Sequence, residues 1–172
     1  MEVYRLRVYY DKKGIAKFIS HKNLCKIFER ALRRMEIPFK FTEGYHPHPK
    51  ISFGPSLPVN MEGINEAFDL YLKEKINLEN FINEINLLLP EGLKVKKCEW
   101  KDLKEPSINE DVKSVIYKIK DENVSLENIG EVIERDGKYV KIKTDINRFP
   151  ARKIEKIFGF LPAEREILWD KE

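Results

Sequence analysis

Cysteine is nearly absent from this 172-residue chain, with two in all. Cys25 and Cys98 share no motif spacing, and no C-x-x-C exists. That excludes a disulfide framework and any cysteine-ligated iron–sulfur cluster held by this chain alone. The expectation is a reduced, cytoplasmic protein. Long apolar runs are missing as well, and no stretch approaches the ~20 apolar residues of a membrane span. No membrane contact is expected. The start, Met1-Glu2-Val3-Tyr4-Arg5-Leu6-Arg7, is charged and alternating, unlike a signal peptide. Histidine is scarce, with three residues, yet two of them stand in one short loop.

What is present describes a globular protein: 42% of residues are apolar, enough for a core in one domain or two small ones. Net charge is only +3, but it is unevenly spread. Residues 1–60 hold twelve Lys or Arg against five Asp or Glu, and the rest hold twenty against twenty-four. A positive half beside a mildly negative one points to an anionic partner at the N-terminal face. The plain alternative is a well-solvated surface rich in Lys and Glu.

Periodicity sets out the elements. Residues 3–10 alternate as a strand, with Tyr4, Leu6, Val8 and Tyr10 on one face. Asp11 to Gly14 is a turn. Ser20 is placed to cap a helix whose stripe is Leu24, Ile27, Phe28, Ala31, Leu32 and Met35. Phe39 and Phe41 predict a second strand, and residues 67–73 a third. Asn77 opens a helix with Leu78, Phe81, Ile82, Ile85 and Leu89 inward, and residues 93–97 form a fourth strand. The order β-α-β-β-α-β predicts an α+β fold with a ferredoxin-like unit over residues 1–103. Lys104 to Ser107 reads as a linker. Residues 108–172 are expected to form a smaller α+β part: strand 112–120, helix 125–134, strand 138–143, and a helix from Pro150 to before Gly159. Leu78-Glu79-Asn80 recurs as Leu126-Glu127-Asn128, a weak sign of a partial repeat.

In a ferredoxin-like sheet one face is buried under helices and the other is free unless covered. Core parity places Arg5, Arg7 and Tyr9 on that second face, with Lys40 and Tyr71 beside them. Cations next to aromatic rings suit single-stranded RNA, charge tracking phosphates and bases stacking on rings. The first helix adds Lys22, Lys26, Arg30, Arg33 and Arg34 away from its apolar stripe, as candidate phosphate contacts. The alternative is that these cations are simply solvated.

The run Thr42-Glu43-Gly44-Tyr45-His46-Pro47-His48-Pro49-Lys50 is the second candidate site. In extended backbone His46 and His48 point the same way, and the prolines after them favour that geometry. Three functional readings compete. His-x-His could bind a metal with Glu43 or His21 as third ligand, although no fourth ligand is fixed by spacing. A histidine could act as acid or base on RNA, with Lys50 or Arg5 stabilising phosphate charge. Imidazoles, Tyr45 and Lys50 could instead grip phosphate or base without chemistry. The structural alternative is a stiff connection. No cofactor and no metal is assigned. Cys25 is expected beside the helix core as a small hydrophobe.

Two segments together resemble a known family: Phe18-Ile19-Ser20-His21 followed by Phe28-Glu29-Arg30-Ala31-Leu32-Arg33-Arg34, and Glu43-Gly44-Tyr45-His46-Pro47-His48-Pro49-Lys50-Ile51-Ser52-Phe53. They are similar to the bacterial radical SAM-linked proteins, a domain of unknown function found alone or joined to B12-binding radical SAM proteins. The resemblance implies an accessory domain partnering a radical SAM enzyme that carries its own cluster. The family usually has Asn where this chain has His46, while His48 matches, which moves weight to His21, Glu43, His48 and Lys50. The expected function is a non-catalytic RNA-binding or substrate-presenting module, in RNA modification or ribosome-related metabolism. The rivals are an enzyme (a metal-independent ribonuclease or a histidine-metal hydrolase) and a protein-docking domain without RNA contact.

Overall fold

Alternating strands and striped helices assemble around one long sheet in the computed structural model, which describes residues 2–121, 125–126 and 128–169. In chain order the elements are β1 (Tyr4–Lys12), a 3-10 turn (Gly14–Phe18), α1 (His21–Arg34), β2 (Ile51–Phe53) and β3 (Glu62–Leu72). There follow α2 (Leu78–Leu88), β4 (Leu93–Lys101), the single turn α3 (Ile108–Asp111), β5 (Ser114–Lys120), β6 (Glu131–Arg135), β7 (Tyr139–Asp145), α4 (Ala151–Phe158) and β8 (Glu164–Leu168). Both expected caps form. The Ser20 hydroxyl accepts from the Asn23 amide at 3.3 Å, and Asn77 Oδ1 accepts from the Asn80 amide at 2.9 Å.

The sheet runs β4–β1–β3–β8–β5–β7–β6, with β2 also pairing β3. Every pairing is antiparallel except β3 with β8, which is parallel. β3 shares one of its edges end to end. Its residues 68–70 pair with β2, and its residues 62–64 pair with β8. The two strands therefore diverge from a common partner, and the segment 54–61 crosses the gap between them.

Two cores lie along this sheet. The first gathers Leu6, Val8, Phe28, Phe68, Leu70, Phe81 and Ile85 under α1 and α2. The second gathers Val115, Tyr117, Ile142, Ile154 and Ile167 under α4, and takes Leu57 and Met61 from the N-terminal half. The architecture is thus mixed α and β, in one eight-stranded mixed sheet.

Three expectations are corrected. A second strand at Phe39 and Phe41 is reduced to isolated bridges, Phe39 with Leu72 and Phe41 with Pro49, and β2 lies after the histidine loop instead. Among the described residues the helix expected over 125–134 does not form. Residues 131–135 are β6, where β-branched Val132 pairs with Ile142 of β7, the register shifts past Ile133, and Glu134 meets Lys141 Nζ at 2.8 Å. Cross-strand pairing outweighs the local helical spacing at this place. Glu127 of the expected helix and repeat lies outside the described residues. Finally, β8 has no counterpart among the expected strands, and it occupies the middle of the sheet.

Candidate functional site

The second sheet face, free unless covered, is covered. The segment after β4 crosses it, and Arg5 donates to the carbonyls of Pro106 and Glu105, each at 3.2 Å, and to that of Asp102. Arg7 is fully buried. Its Nε and Nη2 donate to the two Asp69 carboxylate oxygens at 2.7 and 3.0 Å, and its Nη1 pairs with Asp111. Burial alone would lower the Arg7 pKa, but the hydrogen bonds and charge of Asp69 more than reverse it, and the guanidinium stays charged. Trp169 closes over the group, with Arg7 Cζ 5.1 Å from its ring centre. Tyr9 is buried against Ile108 and Trp169 and donates to Glu99 at 2.5 Å. Burial and that acceptor raise its pKa well above the ordinary value. Arg5, Arg7 and Tyr9 are therefore structural, and their placement as a nucleic-acid platform is corrected. Sequence parity found the face but not its cover.

The histidine run forms a hairpin that leaves the sheet at β3. The Lys50 amide donates to the Lys40 carbonyl at 2.7 Å, and the Thr42 amide to the His48 carbonyl at 2.8 Å. Glu43, Gly44, Tyr45, His46, Pro47 and His48 are all exposed, Tyr45 completely so. His48 is held in place, its Nδ1 lying 3.1 Å from Thr42 Oγ1 and 3.2 Å from the His46 carbonyl. No carboxylate orients either imidazole in the hydrogen bonds described. Lys50 is exposed with its Nζ 4.8 Å from the centre of the Tyr71 ring, and Lys40 and Tyr71 are half-buried. His21 is not brought into this hairpin.

The α1 cations stand as expected. Lys22, Lys26, Arg30, Arg33 and Arg34 are exposed on the side opposite Leu24, Phe28, Ala31 and Leu32. Of the five, Arg33 is paired, taking Glu29 at 2.9 Å. Arg33 and Arg34 also sit in the last turn, where the helix dipole favours positive charge.

His21 belongs to a different place, the fork between β2 and β8. It is the first residue of α1 and lies edge-on to Phe53, with ring centres 5.9 Å apart. Its Nε2 is 3.7 Å from the Cys25 sulfur. Burial and the charge of Arg165 lower its pKa, so it is held neutral. Burial raises the Cys25 thiol, which leaves it a poor nucleophile. Beside His21 opens a cleft of about 530 Å³ lined by Pro55 to Val59, Ile146, Asn147, the start of α4, and Arg165. Arg165 is buried and clasps Glu66 through Nε and Nη2 at 2.9 and 2.7 Å. It also donates to the carbonyls of Pro55 and Ser56 at 2.8 and 3.2 Å.

The sequence reading missed Lys12, Glu66 and Arg165, and a signal for them existed. Each stands at core parity in its strand, Lys12 with Leu6, Val8 and Tyr10, Glu66 with Phe68 and Leu70, and Arg165 with Ile167. A charge in phase with buried apolar residues is an unusual feature that implies a partner. Among the described residues, no three His, Cys, Asp or Glu side chains are grouped to hold a metal ion, and no helix is long and apolar enough to cross a membrane.

Residues 5–153 match the family described as an uncharacterized protein conserved in bacteria (DUF2344). The chain belongs to that family, which spans β1 through the start of α4. Among the curated proteins none matches it.

Proposed function

We propose that the protein is a non-catalytic RNA-binding accessory module that presents its substrate to a radical SAM enzyme. The observation that carries the RNA part is the outward face of α1. Five cations are exposed there along fourteen residues, a spacing that tracks a phosphate backbone. The hairpin that follows adds exposed Tyr45, His46, His48 and Lys50. Bases can stack on a bare tyrosine, and Lys50 beside Tyr71 pairs charge with a ring. The partner enzyme is inferred from the resemblance of residues 18–34 and 43–53 to radical SAM-linked proteins. The N-terminal unit is read as a ferredoxin-like variant on its strand order β4–β1–β3–β2.

The experiment is titration with total cellular RNA at low and moderate salt, followed by a gel of the recovered RNA. The reading expects salt-sensitive binding and intact RNA. Replacing Lys26, Arg30 and Arg33 together by Ser is expected to weaken binding by about tenfold or more and to flatten the salt dependence. Discrete cleavage lost in His48→Ala would replace this reading with the ribonuclease. No binding at low salt would replace it with protein docking.

A further inference from the structure

The sheet order ends in β4 on one side and β6 on the other. An edge strand offers a row of backbone donors and acceptors to any strand that can lie beside it, and proteins commonly blunt such edges with lysine. β4 is blunted in that way. Lys94, Lys96 and Lys97 are exposed along it, so a second β4 laid against it would set lysine against lysine.

β6 is built differently. Glu131-Val132-Ile133-Glu134-Arg135 contains neither Lys nor Pro, and all five residues are exposed. Val132 and Ile133 are 47% and 50% exposed, two β-branched apolar side chains in succession at the rim of the sheet. Such residues favour strand pairing, and β7 does not cover them. The register with β7 shifts between Val132 and Glu134, so Ile133 is matched to no β7 residue.

The charges of β6 are self-complementary. Antiparallel pairing of two copies about Ile133 sets Glu131 opposite Arg135 twice, Val132 opposite Glu134, and Ile133 opposite Ile133. Opposite charges in facing positions stabilise a strand pair, and like charges destabilise it. A slip of one residue in one direction sets Glu131 opposite Glu134, and in the other direction opposite Asp136. The charge pattern therefore selects one register. Arg135 meets Asp121 at 3.3 Å through Nε, and its side chain stays 45% exposed, with further guanidinium donors to offer a second carboxylate.

We propose that β6 is the contact of a two-fold symmetric dimer, in which it pairs antiparallel with β6 of a second copy and joins two eight-stranded sheets into one. The same surface is used on both sides, so the assembly closes at two. A five-residue strand with one bulge buries little area. The dimer is therefore weak, half-formed at about 10–100 µM, as small transient interfaces are. α1 belongs to the first core, at the β4 end of the sheet. Both copies keep their outer α1 faces open, and the dimer stands or falls separately from RNA binding.

The test is sedimentation velocity of the full chain from micromolar to millimolar concentration. The parent is expected to pass from monomer to dimer and to stop there. Glu131→Arg and Arg135→Glu each set like charges face to face at both pairs, and each alone is expected to weaken the dimer about tenfold. An equimolar mixture of the two variants has opposite charges at both pairs again, and is expected to dimerise as the parent does. Loss of fold cannot produce that recovery. Ile133→Lys, at an exposed position, is expected to abolish the dimer and to keep the melting temperature of the dilute parent. A parent that stays monomeric at millimolar concentration overturns the proposal. So does a mixture no more dimeric than its components. Growth beyond the dimer also overturns it, since that would mean β6 of one copy meeting the lysine-rich β4 of the next in an open chain.

Discussion

Arg7 and Asp69 show how much a single buried pair decides. Neither is exposed, and their two parallel hydrogen bonds satisfy most of both groups. Asp69→Ala would leave Arg7 buried with only Asp111, whose side chain is a quarter exposed. The expected cost is about 3–5 kcal/mol, the usual consequence of removing one partner of a buried ion pair, and urea unfolding measures it. His21 makes a second prediction. Its pKa is lowered in the fold from an ordinary 6.5 by burial and by Arg165, with Lys12 adding to the effect and Glu66 opposing it. The unfolded chain therefore binds the proton first as pH falls. The contribution to stability is complete above the unfolded pKa and is lost as pH drops through the folded one. Melting temperature is expected to decline between about pH 7.5 and 5.5, and less steeply in His21→Gln. At this scale the exposed α1 cations, Tyr45 and the histidines were legible, because an amphipathic stripe and a proline-flanked loop advertise their outer sides. Arg5 and Arg7 were misjudged because burial of a strand's second face depends on a segment some hundred residues away.

Elements announce themselves when their own residues decide them. α1 and α2 carry an apolar stripe, an N-cap and a stop, and both were readable to within a residue or so of their starts. β6 and β8 are decided by neighbours. β6 is exposed along its whole length, so no burial pattern marks it. β8 is five residues containing three charges, including buried Arg165. A helix can also be tied to a strand by one side chain. Asn86 Nδ2 donates to the Val95 carbonyl at 2.8 Å, and the Val95 amide donates to Asn86 Oδ1 at 2.9 Å. Asn86→Ala removes both of these bonds between α2 and β4. The expected loss is about 1–3 kcal/mol, and amide hydrogen exchange at Val95 is expected to speed up more than at residues of β7.

The molecule as a whole has two cores and one sheet. Leu57 and Met61 cross from the N-terminal half into the second core, and the Arg165–Glu66 pair joins residues 99 apart in sequence. Such coupling predicts that both halves unfold together. The two tryptophans make this measurable, since Trp100 packs on the first core and Trp169 on the second. Trp100→Phe and Trp169→Phe variants, each reporting through the tryptophan that remains, are expected to show coincident fluorescence and circular-dichroism transitions. Separate midpoints would mean two independent units.

The place of β8 has a consequence for how the chain is made. Three strands stand on each side of it in the sheet order, and all of them precede it in the sequence. On the ribosome, β1 to β7 emerge before the strand that joins them. Until residues 164–168 are available, β5 presents a bare edge and β3 an unpaired stretch at residues 62–64, the kind of surface that recruits the wrong chain. Assembly of this fold is completed from its centre, and a nascent chain stalled before Glu164 is the form most exposed to aggregation.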